Sequence, residues 1–183
     1  MAKKKAGKLN IFTCIFATVI IVGLVLAIVG MCIDVIKGTV SQSNVITGDS
    51  SKSSFIKLFG EEWADIKKME AGDNTFLMVS FIVTIVGLAV LLIDSCLHLF
   101  LKKDLKIIRI VGAALSIVGA ILILIAGLTL ASTLTDKLGA SGGIGGIFSA
   151  EAKYTAAVGV WLGFVGGLVG GVAGGLGLLK KFN

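Results

Sequence analysis

Histidine and arginine occur once each in this 183-residue chain: His98 and Arg109 stand alone beside sixteen lysines. One histidine, with no Ser-x-x-Lys or Gly-x-Ser-x-Gly pattern around a plausible nucleophile, leaves no nucleophile–base pair for acyl-transfer chemistry. The glycine-rich runs lack the Gly-Lys-Ser/Thr ending of a phosphate-binding loop. The three cysteines, Cys14, Cys32 and Cys96, lie in or at the ends of apolar runs. The links between those runs hold no cysteine and no Asn-x-Ser/Thr acceptor, which excludes a disulfide framework there. The chain is therefore expected to be no enzyme and to bind no cofactor or metal.

What the chain has in excess is apolar sequence. Its hydrophobic share is 56% and its mean hydropathy is +1.01, against about 45–50% apolar residues in an average soluble domain. The excess falls into four blocks, Ile11–Ile33, Phe76–Leu101, Ile107–Ala131 and Ala156–Leu179. Each reaches the about 20 residues that cross a hydrocarbon core. The expected fold class is an all-α integral membrane protein. Residues 1–183 form a single membrane domain, a bundle of four transmembrane helices with an outer amphipathic segment between helices 1 and 2. The basic stretch "MAKKKAGKLN" precedes the first block, but that block is longer than a signal-peptide core of about 7–15 residues. It is read as an uncleaved first helix.

Charge sorting gives the orientation. Lys3, Lys4, Lys5 and Lys8 precede helix 1; Lys102, Lys103, Lys106 and Arg109 surround the link 102–106; Lys180 and Lys181 follow helix 4. The links 34–75 and 132–155 hold more acids than lysines. Lysine and arginine in short loops mark the cytoplasmic side, so both termini and the short link are expected inside, in a multi-pass protein of the plasma membrane. The net charge of +6 reflects this sorting and an attraction to anionic lipid, with no nucleic-acid partner implied.

Within the first outer link, Phe55, Phe59, Trp63 and Ile66 recur at i, i+4, i+8 and i+11. That spacing predicts one apolar helix face, opposite Lys57, Glu61, Asp65 and Lys68. The polar segment before it reads as loop or a short strand pair. The second outer link, rich in glycine around Ile144, Ile147 and Phe148, reads as a flexible loop, with a re-entrant segment as the alternative.

Helix 4 carries two glycine ladders. Gly159, Gly163, Gly167, Gly171 and Gly175 form one, and Gly166, Gly170 and Gly174 the other. At 100° per residue they bare about half of the helix surface. Val165, Leu168, Val169, Val172 and Leu176 cover the rest. In water each glycine costs roughly 1 kcal/mol of helix stability, but in lipid small residues let helix backbones approach. The sequence leaves open whether the facing helix belongs to this chain or to a neighbour. The ionisable groups at the inner end form a second candidate, an interfacial ionic cluster of Asp94, His98 and Arg109. Asp94 and His98 share a helix face at i, i+4, and Arg109 lies across the tight link.

The order of these parts resembles the claudin and peripheral-myelin-protein tetraspan group: four helices, both ends inside, a long first outer link, a minimal inner link and a shorter second outer link. The fourth helix, "YTAAVGVWLGFVGGLVGGVAGG", is similar to the glycine-rich last helix of small bacterial proteins of the same layout. Claudins carry a Trp, a Gly-Leu-Trp and two cysteines in the first outer link, where this chain has only Trp63. The resemblance therefore implies the layout without a barrier or paracellular-channel function, and no site residue is carried over. The resulting expectation is a non-catalytic scaffold or interaction subunit in the lipid bilayer, a homo-oligomer or bound to other membrane subunits. The alternative is a channel or transporter subunit that forms an oligomeric pore.

Overall fold

The computed structural model describes residues 11–44, 50–61, 63, 73–101, 105–138, 140–141 and 148–179. It is mostly helical. Helices α1 (Ile11–Cys32), α2 (Thr75–Leu101), α3 (Lys106–Leu138) and α4 (Val158–Leu179) are each long and apolar enough to cross a membrane. At 1.5 Å per residue even the shortest spans about 33 Å, slightly more than a hydrocarbon core of about 30 Å. Exposed Val22, Val25 and Ile28 on α1, Val79, Ile82 and Val86 on α2, and Val118, Ile121 and Ile125 on α3 turn apolar side chains outward. That surface is stable against lipid and unstable against water.

The helices pack in the cyclic order α1–α2–α3–α4, and α2 also touches α4 across the diagonal. Two clusters fill the interior. One, at the end where the strands lie, joins Val35, Ile36, Ile56, Leu58 and Trp63 to Leu77, Phe81, Ile123, Leu130, Leu134 and Val160. The other joins Ile20, Ala27, Leu88, Leu91, Ala113 and Ala173 nearer the opposite end.

The links are not all loop or helix. Strands β1 (Asp34–Asn44), β2 (Ser50–Lys57), β3 (Ala140–Ser141) and β4 (Phe148–Ala156) form an antiparallel sheet in the order β2-β1-β4-β3. The expected bundle of four long apolar helices is present, and the expectation of helix alone is extended: the bundle carries a sheet built from both of its long links. The register sets Ile36 beside Ile56 and Ala156, and Gly38 beside Ser54 and Tyr154. Alternation of side chains along each strand turns that row toward the helices, where Ile36 and Ile56 are buried. A Cβ on Gly38 would stand 2.9 Å from Cε1 of Tyr154, so the bare position is where the tyrosine ring crosses β1.

The predicted apolar helix face is overturned in its first half. Phe55 lies inside β2 and Phe59 in the turn that follows, both exposed. Cross-strand pairing with Lys37, Gly38 and Thr39 holds residues 53–55 extended, and their i+4 spacing has no helix to act on. Trp63 is helical and buried; Ile66 falls outside the described residues. The turn is tied down by Gly60 N–H to the Lys57 carbonyl at 3.1 Å and by the Asn74 amide to the Leu58 carbonyl at 2.9 Å. The same Asn74 accepts the first bond of α2, from Met78 N–H at 2.9 Å.

The second long link is also more regular than expected. Helix α3 runs on to Leu138, about two turns past the predicted end at Ala131, and residues 148–156 are strand rather than loop. The glycines at 142, 143, 145 and 146 lie outside the described residues. The helical extension covers an edge of the sheet. The Thr135 hydroxyl accepts the Tyr154 N–H at 2.9 Å and donates to the Ala131 carbonyl at 2.9 Å. A backbone donor of β4 beyond the reach of two-residue β3 is thereby satisfied.

Candidate functional site

Helix α4 is built so that three neighbours reach its backbone. On the side of α1 the approach is reciprocal. A Cβ on Gly23 would lie 2.6 Å from the Gly166 carbonyl oxygen, and one on Gly166 would lie 2.6 Å from that of Gly23. Gly30 and Gly159 repeat the relation at 2.6 and 2.5 Å. On the side of α2, Phe81 fills the space over Gly163, Leu88 that over Gly170 and Leu91 that over Gly174. On the side of α3, Gly167 would meet Ala120 Cβ at 2.8 Å, and Gly171 would meet Ile117 Cγ1 at 2.8 Å. Gly175 has room: its nearest neighbour would be Ala113 Cβ at 4.0 Å. The two ladders read from the sequence thus serve three helices, and their partners lie within the chain. Val165, Val169, Val172 and Leu176 stay exposed on the remaining face, with Leu168 at its border.

A polar contact reinforces this packing. Ser116, fully buried, donates to the Gly167 carbonyl at 2.8 Å. The missing side chain at Gly167 is what lets a hydroxyl from α3 reach an α4 carbonyl already engaged in its helix. Buried Thr84 returns its hydroxyl to the Ser80 carbonyl at 2.9 Å, so it presents a methyl group to Gly167. Because Phe81, Leu88 and Leu91 lie against glycines across the diagonal, the centre of the bundle is filled with side chains.

At the end away from the sheet, Arg109 Nε donates to Asp94 Oδ2 at 2.6 Å. Its Nη1 donates to the Gly177 carbonyl at 3.3 Å, in the last turn of α4. One side chain on α3 therefore joins α2 and α4, at a helix end whose final carbonyls have no partner in the helix. A forked guanidinium can serve both acceptors and a lysine cannot, and this is the chain's single arginine. Asp94 is completely buried. Its Oδ1, together with buried Nδ1 of His98 one turn on, has no hydrogen-bond partner among the described residues. Cys96 is exposed, away from this cluster. No group of three or more His, Cys, Asp or Glu side chains able to hold a metal occurs among the described residues.

At the sheet end, Trp63 is buried with its indole N–H unpartnered among the described residues, while Phe55 and Phe59 stand in the open. The face of the sheet away from the helices escaped the sequence reading. Strand parity and register bring Lys57, Phe55 and Ser53 of β2 alongside Lys37 and Thr39 of β1 and Thr155 and Lys153 of β4. The alternation that signals it, Ser53–Phe55–Lys57 against buried Ile56, is too short and too polar to stand out in the sequence.

No protein-family model and no curated protein matches the chain.

Proposed function

We propose that this chain is a non-catalytic multi-pass protein of the plasma membrane with both termini in the cytoplasm. In this reading it is a scaffold or interaction subunit whose four helices hold an external sheet in place. The observation that carries it is the use of the α4 glycines. They are occupied by α1, α2 and α3 of the same chain, which makes the bundle a compact mount with a filled centre. Both long links leave that mount and meet in one sheet, so the presented surface is composite. Charge sorting supports the orientation, with the lysine-rich ends and short link inside and the sheet outside. The claudin-like order of elements is part of the same proposal and concerns layout alone.

The reading also moves the expected oligomer contact. With the glycine face engaged inside the chain, self-association or binding to other membrane subunits falls to the sheet or to the exposed apolar helix faces. Purification from the native membrane in a mild detergent, followed by mass spectrometry, should recover specific membrane or surface partners, and the pure protein should be silent in a liposome ion-flux assay. Selective flux through the purified protein would replace this reading with the pore-forming one.

A further inference from the structure

The outward face of the sheet has a defined chemistry. In register, Lys37 lies between Phe55 and Thr155, and Thr39 lies between Ser53 and Lys153. Lys57 shares the face of Phe55 two residues along β2. Phe55 is 50% exposed, and the Lys37 ammonium stands 5.8 Å from its ring centroid. Lys57 and Lys153 are also exposed. One cation therefore stands beside the ring, a second is two residues along the same strand, and a third lies two strands away, with short hydroxyl side chains between them. Asp34 is paired with Lys57 next to a bulge, and Glu151 is paired in register with Ser41 in the far row. The other face of the same strands is buried against the helices at Ile36 and Ile56 and is exposed only farther along, at Val40, Lys52 and Ser54, so next to the bundle the basic face is the one available to a partner.

We propose that this face binds an acidic polysaccharide. The lysines answer carboxylates spaced along a polymer. The exposed ring offers its electron-rich face to the C–H groups of a sugar. The Thr39 and Ser53 hydroxyls can both donate to and accept from sugar hydroxyls, and the Thr155 hydroxyl, which donates to the Lys37 carbonyl at 3.4 Å, can accept. The combination of an aromatic ring with hydroxyls suits an extended glycan better than an acidic peptide. The proposal rests on the reading of the sheet as the presented part of the molecule and names the chemistry of its partner.

The test uses the full chain in nanodiscs of zwitterionic lipid, with polygalacturonate as the probe, dextran as the neutral glycan and poly-L-glutamate as the carboxylate polymer without sugar. Polygalacturonate should bind, dextran should not, and poly-L-glutamate should bind at least about ten-fold more weakly. Binding should weaken as salt screens the three lysines. The combined Lys37→Gln, Lys57→Gln and Lys153→Gln variant should abolish binding. Phe55→Ser should reduce it several-fold with the thermal midpoint unchanged, because the ring is already half in solvent. Lys52→Gln, on the opposite strand face, should leave it intact. Equal binding of poly-L-glutamate, or an unchanged Phe55→Ser variant, would overturn the glycan and leave a general polyanion surface. Binding retained by the triple lysine variant would overturn the site altogether. None of these outcomes depends on partner recovery or ion flux, so the scaffold reading stands or falls separately.

Discussion

Gly23 of α1 and Gly166 of α4 face each other so closely that a methyl group on either would stand 2.6 Å from the other's carbonyl oxygen. The obstacle is backbone on both sides, which cannot rotate away as a side chain does. The helices would have to separate, and every contact along the seam would loosen with them.

This separates glycines that look alike in the sequence. Gly166→Ala and Gly23→Ala should each destabilise the protein by about 1–3 kcal/mol, the usual cost of overpacking. Gly175→Ala, with 4.0 Å of clearance, should be neutral or stabilise by up to about 1 kcal/mol through helix propensity. Thermal unfolding in a mild detergent compares the three. Equal effects would show that the seam is looser than the distances imply.

The Asp94–Arg109 pair predicts a non-additive pattern. Arg109→Leu alone leaves a fully buried carboxylate without its cation and should cost about 3–5 kcal/mol. Joint replacement by Asp94→Leu and Arg109→Leu should cost clearly less than the single change, since no uncompensated charge remains. Arg109→Lys should fall between wild type and Arg109→Leu, keeping the charge but losing the second arm to the Gly177 carbonyl. Denaturation in detergent of the wild type, Asp94→Leu, Arg109→Leu, the double variant and Arg109→Lys completes the cycle and its conservative control.

Thr135→Val keeps the shape of the side chain and removes the acceptor of the Tyr154 N–H. The expected loss is about 1–3 kcal/mol for a stranded backbone donor. It should be local: hydrogen exchange at Tyr154 should accelerate while the middle of α3 stays protected.

Orientation is tested with single cysteines in a background where Cys14, Cys32 and Cys96 are replaced by serine. Ser53→Cys, exposed on β2, should react with an impermeant maleimide added to intact cells. A cysteine placed within residues 2–8 should react only after the membrane is opened. The reverse pattern would put the sheet in the cytoplasm and remove the basis for an external partner.

The helices were legible because a hydrocarbon solvent demands a run of about 20 apolar residues, a signal that one stretch of sequence carries alone. The end of α3 was not, because "STLTDKL" is polar; it stays helical where Thr135 and its neighbours gain contacts with β4. The strands were not legible either. Lys37 pairs with Thr155, 118 residues away, and Ser-rich β2 has little apolar alternation to reveal it. The Phe55, Phe59 and Trp63 spacing imitated a helix, yet only Trp63 is buried. In the ionic cluster, Asp94 and Arg109 stand 15 residues apart across a short link, a proximity the chain itself enforces. A further acceptor of Arg109, the Gly177 carbonyl, lies 68 residues from it and carries no side-chain signal.

By itself the sequence determined four apolar spans, their charge sorting and a fourth helix stripped of side chains on one half. Those are properties of composition and local periodicity, set by exchange between water and lipid. Only the tertiary structure decided that the bare half is filled from within the chain, by Gly23, Gly30, Phe81, Leu88 and Ser116, and that the two long links join in one sheet. A missing side chain defines a space, and what fills that space depends on contacts between segments far apart in the chain, which local sequence does not encode.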